Sequence, residues 1–279
     1  MTGLALVIFS AFTHSLWNIL LKKSNNKFVF NYQMHIINLI IFTIFMVFFG
    51  RDMINFEFLP IFLGFFAAVF FALYHLSLSN SYVFTDVSLA YPVSTSSPIL
   101  VAIWARLLLG EQFTVSGLLG ILIIFIGIFT MHMSRLKGKI DSKGIFFALL
   151  ASLFYSFGAI IDKFGVTTNS FMLYIYSVVF FMTLFLFVQA NIKYGNHIME
   201  FSKNKKYVLL GGGIIFLSFL SYRIGLTYMN VSYATALRQV NSLFGLLIGY
   251  YFLKEKISVT RFVGAFLILS GAVLIKINL

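Results

Sequence analysis

From its first residues the chain alternates between long apolar runs and short polar connectors. Ten runs stand out: Gly3–Leu21, Phe28–Phe49, Phe58–Ser79, Ser88–Leu109, Val115–Met133, Gly144–Ile161, Ser170–Ala190, Tyr207–Tyr228, Ser232–Leu253 and Val259–Ile277. Each has roughly the length an α-helix needs to cross a hydrocarbon core of about 30 Å. The short alternating segments of a membrane barrel are missing. The longest connectors are Ser134–Lys143 and Asn191–Lys206, and neither could hold a soluble domain. The first run lacks a basic leader and a small-residue cleavage site, so it is expected to be a first span and not a removable signal.

The pattern repeats. The stretch from Val87 to Glu111, VSLAYPVSTSSPILVAIWARLLLGE, returns as VSYATALRQVNSLFGLLIGYYFLKE from Val231 to Glu255, 144 residues later. Both copies open with Val-Ser-x-Ala and stop on Leu-x-Glu. Both precede a span with glycines in one register, Gly120 and Gly127 in the first and Gly264 and Gly271 in the second. Ser10–Lys23 and Ala151–Phe164 also match in polarity. An internal repeat of this kind outranks any local motif. The expected units are residues 1–134 and 143–279, joined by a connector at 135–142. Five spans is an odd number, so the second unit must enter the membrane from the opposite side. The predicted fold is an all-α integral membrane protein of ten transmembrane helices, arranged as two inverted five-helix repeats. Such pairs enclose a substrate site near the midplane.

Composition sharpens this reading. Sixty per cent of residues are hydrophobic and 10% charged, against about 25% charged in a soluble domain. The chain cannot cover itself with polar surface in water, and a multi-pass protein of the cell membrane is expected. The net charge of +12 does not imply nucleic acid, because the Lys and Arg residues sit in connectors and form no basic stripe. Most lie after spans 1, 5, 7 and 9, and the positive-inside rule then places both termini outside. With no Cys, disulfides, thiolate nucleophiles and Cys-based metal sites are excluded.

The repeated segments carry a resemblance. Ser88-Leu89-Ala90, Pro98, Gly110-Glu111, Gly120 and Gly127 resemble the unit of the EamA-type proteins of the drug/metabolite transporter superfamily. The second copy departs from it, with Ser242 in place of the proline and Lys254 before Glu255. The resemblance covers the whole chain. It implies a cavity lined largely by spans 1, 3, 4, 6, 8 and 9, and both termini in the cytoplasm, against the charge bias. The two indications agree only that the termini share a side.

Candidate binding residues are polar groups inside spans, since lipid-facing ones are costly. In span 9, Ala234, Arg238, Asn241 and Gly245 fall on one face of a straight helix, where Arg238 could clamp a carboxylate or phosphate. The matching face of span 4 carries Ser94 and Ser97, with Tyr91 adjacent, and Pro92 and Pro98 free carbonyls a turn before them. In span 1, His14 stands near the midplane with Trp17 and Asn18 a turn on, opposite Tyr155 of span 6. A histidine there could exchange a proton near neutral pH. Tyr74 and His75 of span 3 and Tyr222 of span 8 add an aromatic lining. Each also has a purely structural reading: snorkelling for Arg238, a hydrogen-bonded neutral ring for His14, a packing kink for the prolines. No Asp or Glu stands mid-span; Asp86, Asp162, Glu111 and Glu255 lie near span ends, and the two glutamates are read as markers of helix-end turns. The membrane carboxylate used by small multidrug pumps of the superfamily is therefore missing at the matching depth.

These observations predict a secondary transporter that moves a small organic metabolite, an amino acid, amine or related solute, by alternating access, with export as the expected direction. An exporter of lipophilic drugs or other toxic compounds is the alternative. An intramembrane enzyme is the remote one, because no catalytic constellation is in sight. No cofactor and no metal are expected. The expected partners are a small-molecule substrate, the lipid bilayer and a coupling proton or ion, with the chain acting as a monomer or homodimer.

Overall fold

The computed structural model describes residues 1–22, 24, 26–49, 57–133, 141–194, 198–254 and 257–277. Regular structure among them is helical throughout: α1 (Thr2–Lys22), α2 (Lys27–Phe49), α3 (Phe58–Phe84), α4 (Val87–Ser94), α5 (Ser97–Leu108), α6 (Val115–Met133), α7 (Ser142–Val166), α8 (Phe171–Tyr194), α9 (Ile198–Thr227), α10 (Val231–Arg238), α11 (Asn241–Leu253) and α12 (Val259–Lys276). Apolar side chains suit lipid, and a helix satisfies the backbone groups of its interior within its own segment, which lipid demands. Eight of these helices are long and apolar enough to cross a membrane singly. The pairs α4–α5 and α10–α11 are each one crossing broken in two, so twelve helices make the ten expected spans. The connector expected at 135–142 lies almost wholly outside the described residues, as does Glu255.

Four helices clearly overrun their apolar runs. α3 continues past Ser79 to Phe84, α7 past Ile161 to Val166 and α8 past Ala190 to Tyr194, and α9 begins at Ile198, inside the stretch expected to be a connector through Lys206. Backbone hydrogen bonding needs no apolar side chains, so a helix outlasts the hydropathy that reveals it.

The two breaks fall at Thr95–Ser96 and Gln239–Val240, again 144 residues apart. Both tighten into i→i+3 bonds. Ser96 N–H donates to Val93 O at 3.2 Å and Ile99 N–H to Ser96 O at 3.0 Å. In the second copy Val240 N–H donates to Leu237 O at 3.1 Å and Leu243 N–H to Val240 O at 2.9 Å.

Glycines set the contact between spans 5 and 10. A Cβ on Gly120 would stand 2.8 Å from Gly271 O, and one on Gly127 2.8 Å from Gly264 O. Only bare backbones approach so closely. As one number rises along α6 the other falls along α12, so these equivalent helices run antiparallel. The operation that exchanges them reverses direction, which makes it a two-fold axis in the membrane plane. Other packing obeys it: α1 against α9 is matched by α7 against α3, and α2 against α9 by α8 against α3. Ten crossings leave both termini on one side, the termini side. The connectors with most of the Lys and Arg residues occupy the other, the basic side.

Candidate functional site

Arg238 ends α10, seven residues from Val231, and so stands about 10 Å along its span by helical rise. It is half-buried. Its Nη2 faces His14 Nδ1 at 3.5 Å, and its guanidinium lies 4.3 Å from the centroid of the Tyr222 ring. Arg238 Nε and the Tyr222 hydroxyl are buried without a hydrogen-bond partner. No carboxylate pairs with Arg238 among the described residues. A buried charge is ordinarily paired or satisfied by hydrogen bonds; this one is steadied by a π face and leaves donors unused.

His14 is held from its own helix. Trp17 Nε1 donates to His14 Nδ1 at 3.2 Å, with the two rings edge-to-face at 5.0 Å. That bond makes Nδ1 the acceptor and places the proton of the neutral ring on Nε2. Trp17 itself packs with Phe30, Met34, Val208 and Ile215, so it positions His14 and does not line open space. Asn18 is half-buried a turn further on.

The aromatic groups gather round this pair. Tyr74 of α3 and Tyr155 of α7 meet edge-to-face at 5.3 Å, and Tyr74 lies 4.9 Å from the His75 ring. Arg238 is near enough to act electrostatically on His14, Tyr74 and Tyr222, and His75 on His14. Tyr91 of α4 is near Ser242 of α11 and lies 5.2 Å from the His132 ring. His14, Tyr74, His75, Tyr91, Tyr155 and Arg238 are all half-buried although they lie inside spans. They converge from spans 1, 3, 4, 6 and 9, and Tyr222 adds span 8.

The straight-helix register drawn through Ala234, Arg238, Asn241 and Gly245 is interrupted, because α10 ends at Arg238 and α11 begins at Asn241. Arg238 reaches the centre as the last residue of α10. Asn241 is buried and accepts from Ser242 Oγ at 3.1 Å. Nor do Arg238 and the serines of span 4 form a pair: Ser94 Oγ donates to Tyr91 O at 2.9 Å and is buried there.

Sequence reasoning missed a buried ion pair. Arg223 of α9 meets Asp162 of α7 at 3.1 Å, both almost fully buried, and the Tyr174 hydroxyl of α8 donates to the same carboxylate. Asp162 is indeed close to the end of its span, yet it is interior. The signal was available, since an arginine inside a span calls for a partner. Also missed was a polar face on span 2, where Asn38 is wholly buried with both amide atoms unpartnered and His35 Nδ1 likewise. Two cavities lie away from the cluster: an apolar groove of about 400 Å³ between α5 and α6, and a cleft of about 490 Å³ on the termini side lined by Glu111, Gln112, Lys163, Thr167 and Asn230 among others.

Comparison with known proteins agrees with this fold. The family model described as the EamA-like transporter family matches residues 1–133 and 142–277. An uncharacterized transporter from Archaeoglobus fulgidus is 24% identical over 210 residues, covering 72% of this chain and 69% of that protein. A crystal structure of a protein 14% identical superposes with a TM-score of 0.78 over all of this chain and 98% of the other, a likeness of fold alone.

Proposed function

The chain belongs to the EamA-like transporter family, and from that premise we propose that this multi-pass membrane transporter exports a small organic metabolite bearing a carboxylate, such as an amino acid or related solute, by alternating access. The two repeats, residues 1–134 and 143–279, rock against each other about the polar cluster, with 135–142 as their connector. The observation that carries the reading is Arg238: a cation inside the membrane with no acidic partner among the described residues and a buried Nε left unpaired. A substrate carboxylate supplies two parallel charge-assisted hydrogen bonds to its planar fork. Tyr74, Tyr91, Tyr155 and Tyr222 offer ring faces to the rest of the solute, including an ammonium group. His14, its Nδ1 facing Nη2, orients the guanidinium.

The test uses purified protein and ligand pairs that differ only in the carboxylate, read as thermal stabilisation. Arg238→Lys keeps the charge and removes the fork. Affinity for the carboxylate-bearing member should fall about tenfold or more, equivalent to about 1.4 kcal/mol, with little change for its partner. Equal losses for both members would show that Arg238 supports the fold and does not read the solute. Tight binding of apolar ligands in both proteins would favour a lipophilic-drug exporter.

A further inference from the structure

The two-fold axis requires that each contact on the termini side have a twin on the basic side. One set has none. On the termini side α10 packs against α5, α6 and α7. Among the described residues the related pairs, α4 with α11, α12 and α1, show no comparable packing. Burial agrees. Every residue from Val231 to Leu237 is buried, whereas among the described side chains of α4 Ala90, Pro92 and Ser94 are buried and Leu89, Tyr91 and Val93 are half-buried. A Cβ on Gly245 of α11 would meet nothing within 4 Å. Among the described residues, packing around Arg238 is therefore tighter on the termini side than on the basic side.

One side chain fastens the tighter end. Gly110, at φ 68°, turns the chain back at the end of span 4, and Glu111 N–H returns to Ala105 O at 3.1 Å. The Glu111 carboxylate then crosses to the second repeat. Its Oε1 accepts from Val231 N–H at 2.6 Å; its Oε2 accepts from the Ser232 hydroxyl at 2.5 Å and from Ser232 N–H at 3.4 Å. The first amides of a helix have no partner within it and carry partial positive charge. Asn230, at the N-cap position of α10, makes no side-chain cap bond. The cap comes instead from the opposite repeat, and Glu111 is 8% exposed there. Lys163, near enough to act electrostatically on Glu111, donates to Leu226 O at 2.8 Å and Met229 O at 3.0 Å, tying down the preceding helix end. The sequence repeats both members of the Glu111 contact, as Val87-Ser88 and Glu255, the last outside the described residues.

We propose that Glu111 is the closing residue of the gate on the termini side. Its bonds to Val231 and Ser232 form when the cluster faces the basic side and part when it turns to the other. The proposal rests on the alternating-access reading. It accounts for the pairing of Leu-x-Glu with Val-Ser-x-Ala in each copy of the repeat: a contact that exists in only one of two states biases the equilibrium between them by its full strength.

The chain has no Cys, so single-cysteine reporters need no prior engineering. Ser242→Cys, beside Tyr91 in the less tightly packed region, reports access to the centre. Ser258→Cys, exposed on the basic side, identifies which face of an oriented vesicle is which. With a membrane-impermeant thiol reagent, the Ser242→Cys protein should react from the basic face only. Adding Glu111→Gln should raise its reaction rate from the termini face by about tenfold, the effect of about 1.4 kcal/mol. Adding Ser232→Ala, which leaves the carboxylate and both amides in place, should give a smaller rise in the same direction and guards against misfolding of the first variant. Unchanged termini-face rates in both would reduce Glu111 to a helix cap and overturn the proposal. A reporter that reacts equally from both faces, or from neither, in the parent protein would remove the closed state or the cavity itself, and the alternating-access reading with it.

Discussion

In the first repeat span 4 breaks between two prolines, Pro92 and Pro98. In the second, span 9 breaks at the same place between Ala236 and Ser242. The first repeat ends that span on Gly110 in a left-handed conformation, at φ 68°; the second ends it on Lys254 in the same conformation, at φ 52°. The backbone path is common to both although the residues that would seem to dictate it are not. Charge is distributed the other way. Arg238 has Ser94 at its place in the first copy, and the buried Arg223–Asp162 pair joins α7 and α9 of the second repeat alone. The difference teaches that the two-fold fixes the scaffold while the ionic chemistry is confined to one half. A site at the symmetry axis therefore has a charged wall and a neutral, hydroxyl-bearing wall.

The largest effect should come from breaking that asymmetry at the ion pair. Asp162→Asn leaves the Arg223 guanidinium buried beside a neutral amide and should destabilise the protein by about 3–5 kcal/mol. Replacing both residues, Asp162→Leu with Arg223→Met, removes the desolvated charges together and should recover most of the loss. Thermal unfolding in detergent measures both. A single-variant loss below about 1 kcal/mol would mean that the pair is not a structural weld of spans 6, 7 and 8.

The number of spans was legible because each must be apolar over its whole length to lie in lipid, and the repeat was legible because Val-Ser-x-Ala, Leu-x-Glu and two glycines recur in register. The start of α9 was not, since hydropathy reports lipid and not helicity. The sequence pointed to Arg238, His14, Tyr74, Tyr155 and Tyr222 as polar tips inside spans, and the structure brings these together. Their partners were hidden. A face drawn on a straight helix could not foresee the break at Gln239–Val240, nor that Ser94 would donate to Tyr91 O and Asn241 accept from Ser242. Glu111 read as the marker of a turn, and it is one. Its carboxylate, however, binds a segment 120 residues away, and no local pattern encodes that.

The caps of spans 4 and 9 allow a sharper comparison at smaller cost. A side chain in the left-handed region is strained by about 1–2 kcal/mol, and glycine escapes this. Lys254→Gly should therefore stabilise the protein, by about 0.5–1 kcal/mol after the added flexibility of the unfolded chain is allowed for. Gly110→Lys should destabilise it by a similar amount. Nothing lies within 4 Å of a Cβ built on Gly110, so the penalty there is conformational and not steric. Opposite signs in thermal unfolding would show that one backbone geometry is imposed on both copies; like signs would show that the two turns differ.

The smallest effect should belong to the proline. Pro98 stands in the first turn of α5, where a missing N–H costs nothing because the helix offers it no acceptor. Pro98→Ser makes the first copy match Ser242 of the second. The restored N–H could bond Ser94 O only if α4 and α5 joined into one straight helix. The second copy already has that option and declines it: Ser242 N–H donates to Gln239 O at 3.0 Å, an i→i+3 bond, instead of reaching Arg238 O. The break in span 4 should therefore persist, with stability changed by less than about 0.5 kcal/mol, as for a substitution away from any critical contact. Spin labels on cysteines placed at residues 93 and 103, one on each side of the break, would report the angle as a distance. An unchanged distance is expected. A longer one, with a rise in stability, would show that proline holds the first break open and that the two breaks only look alike.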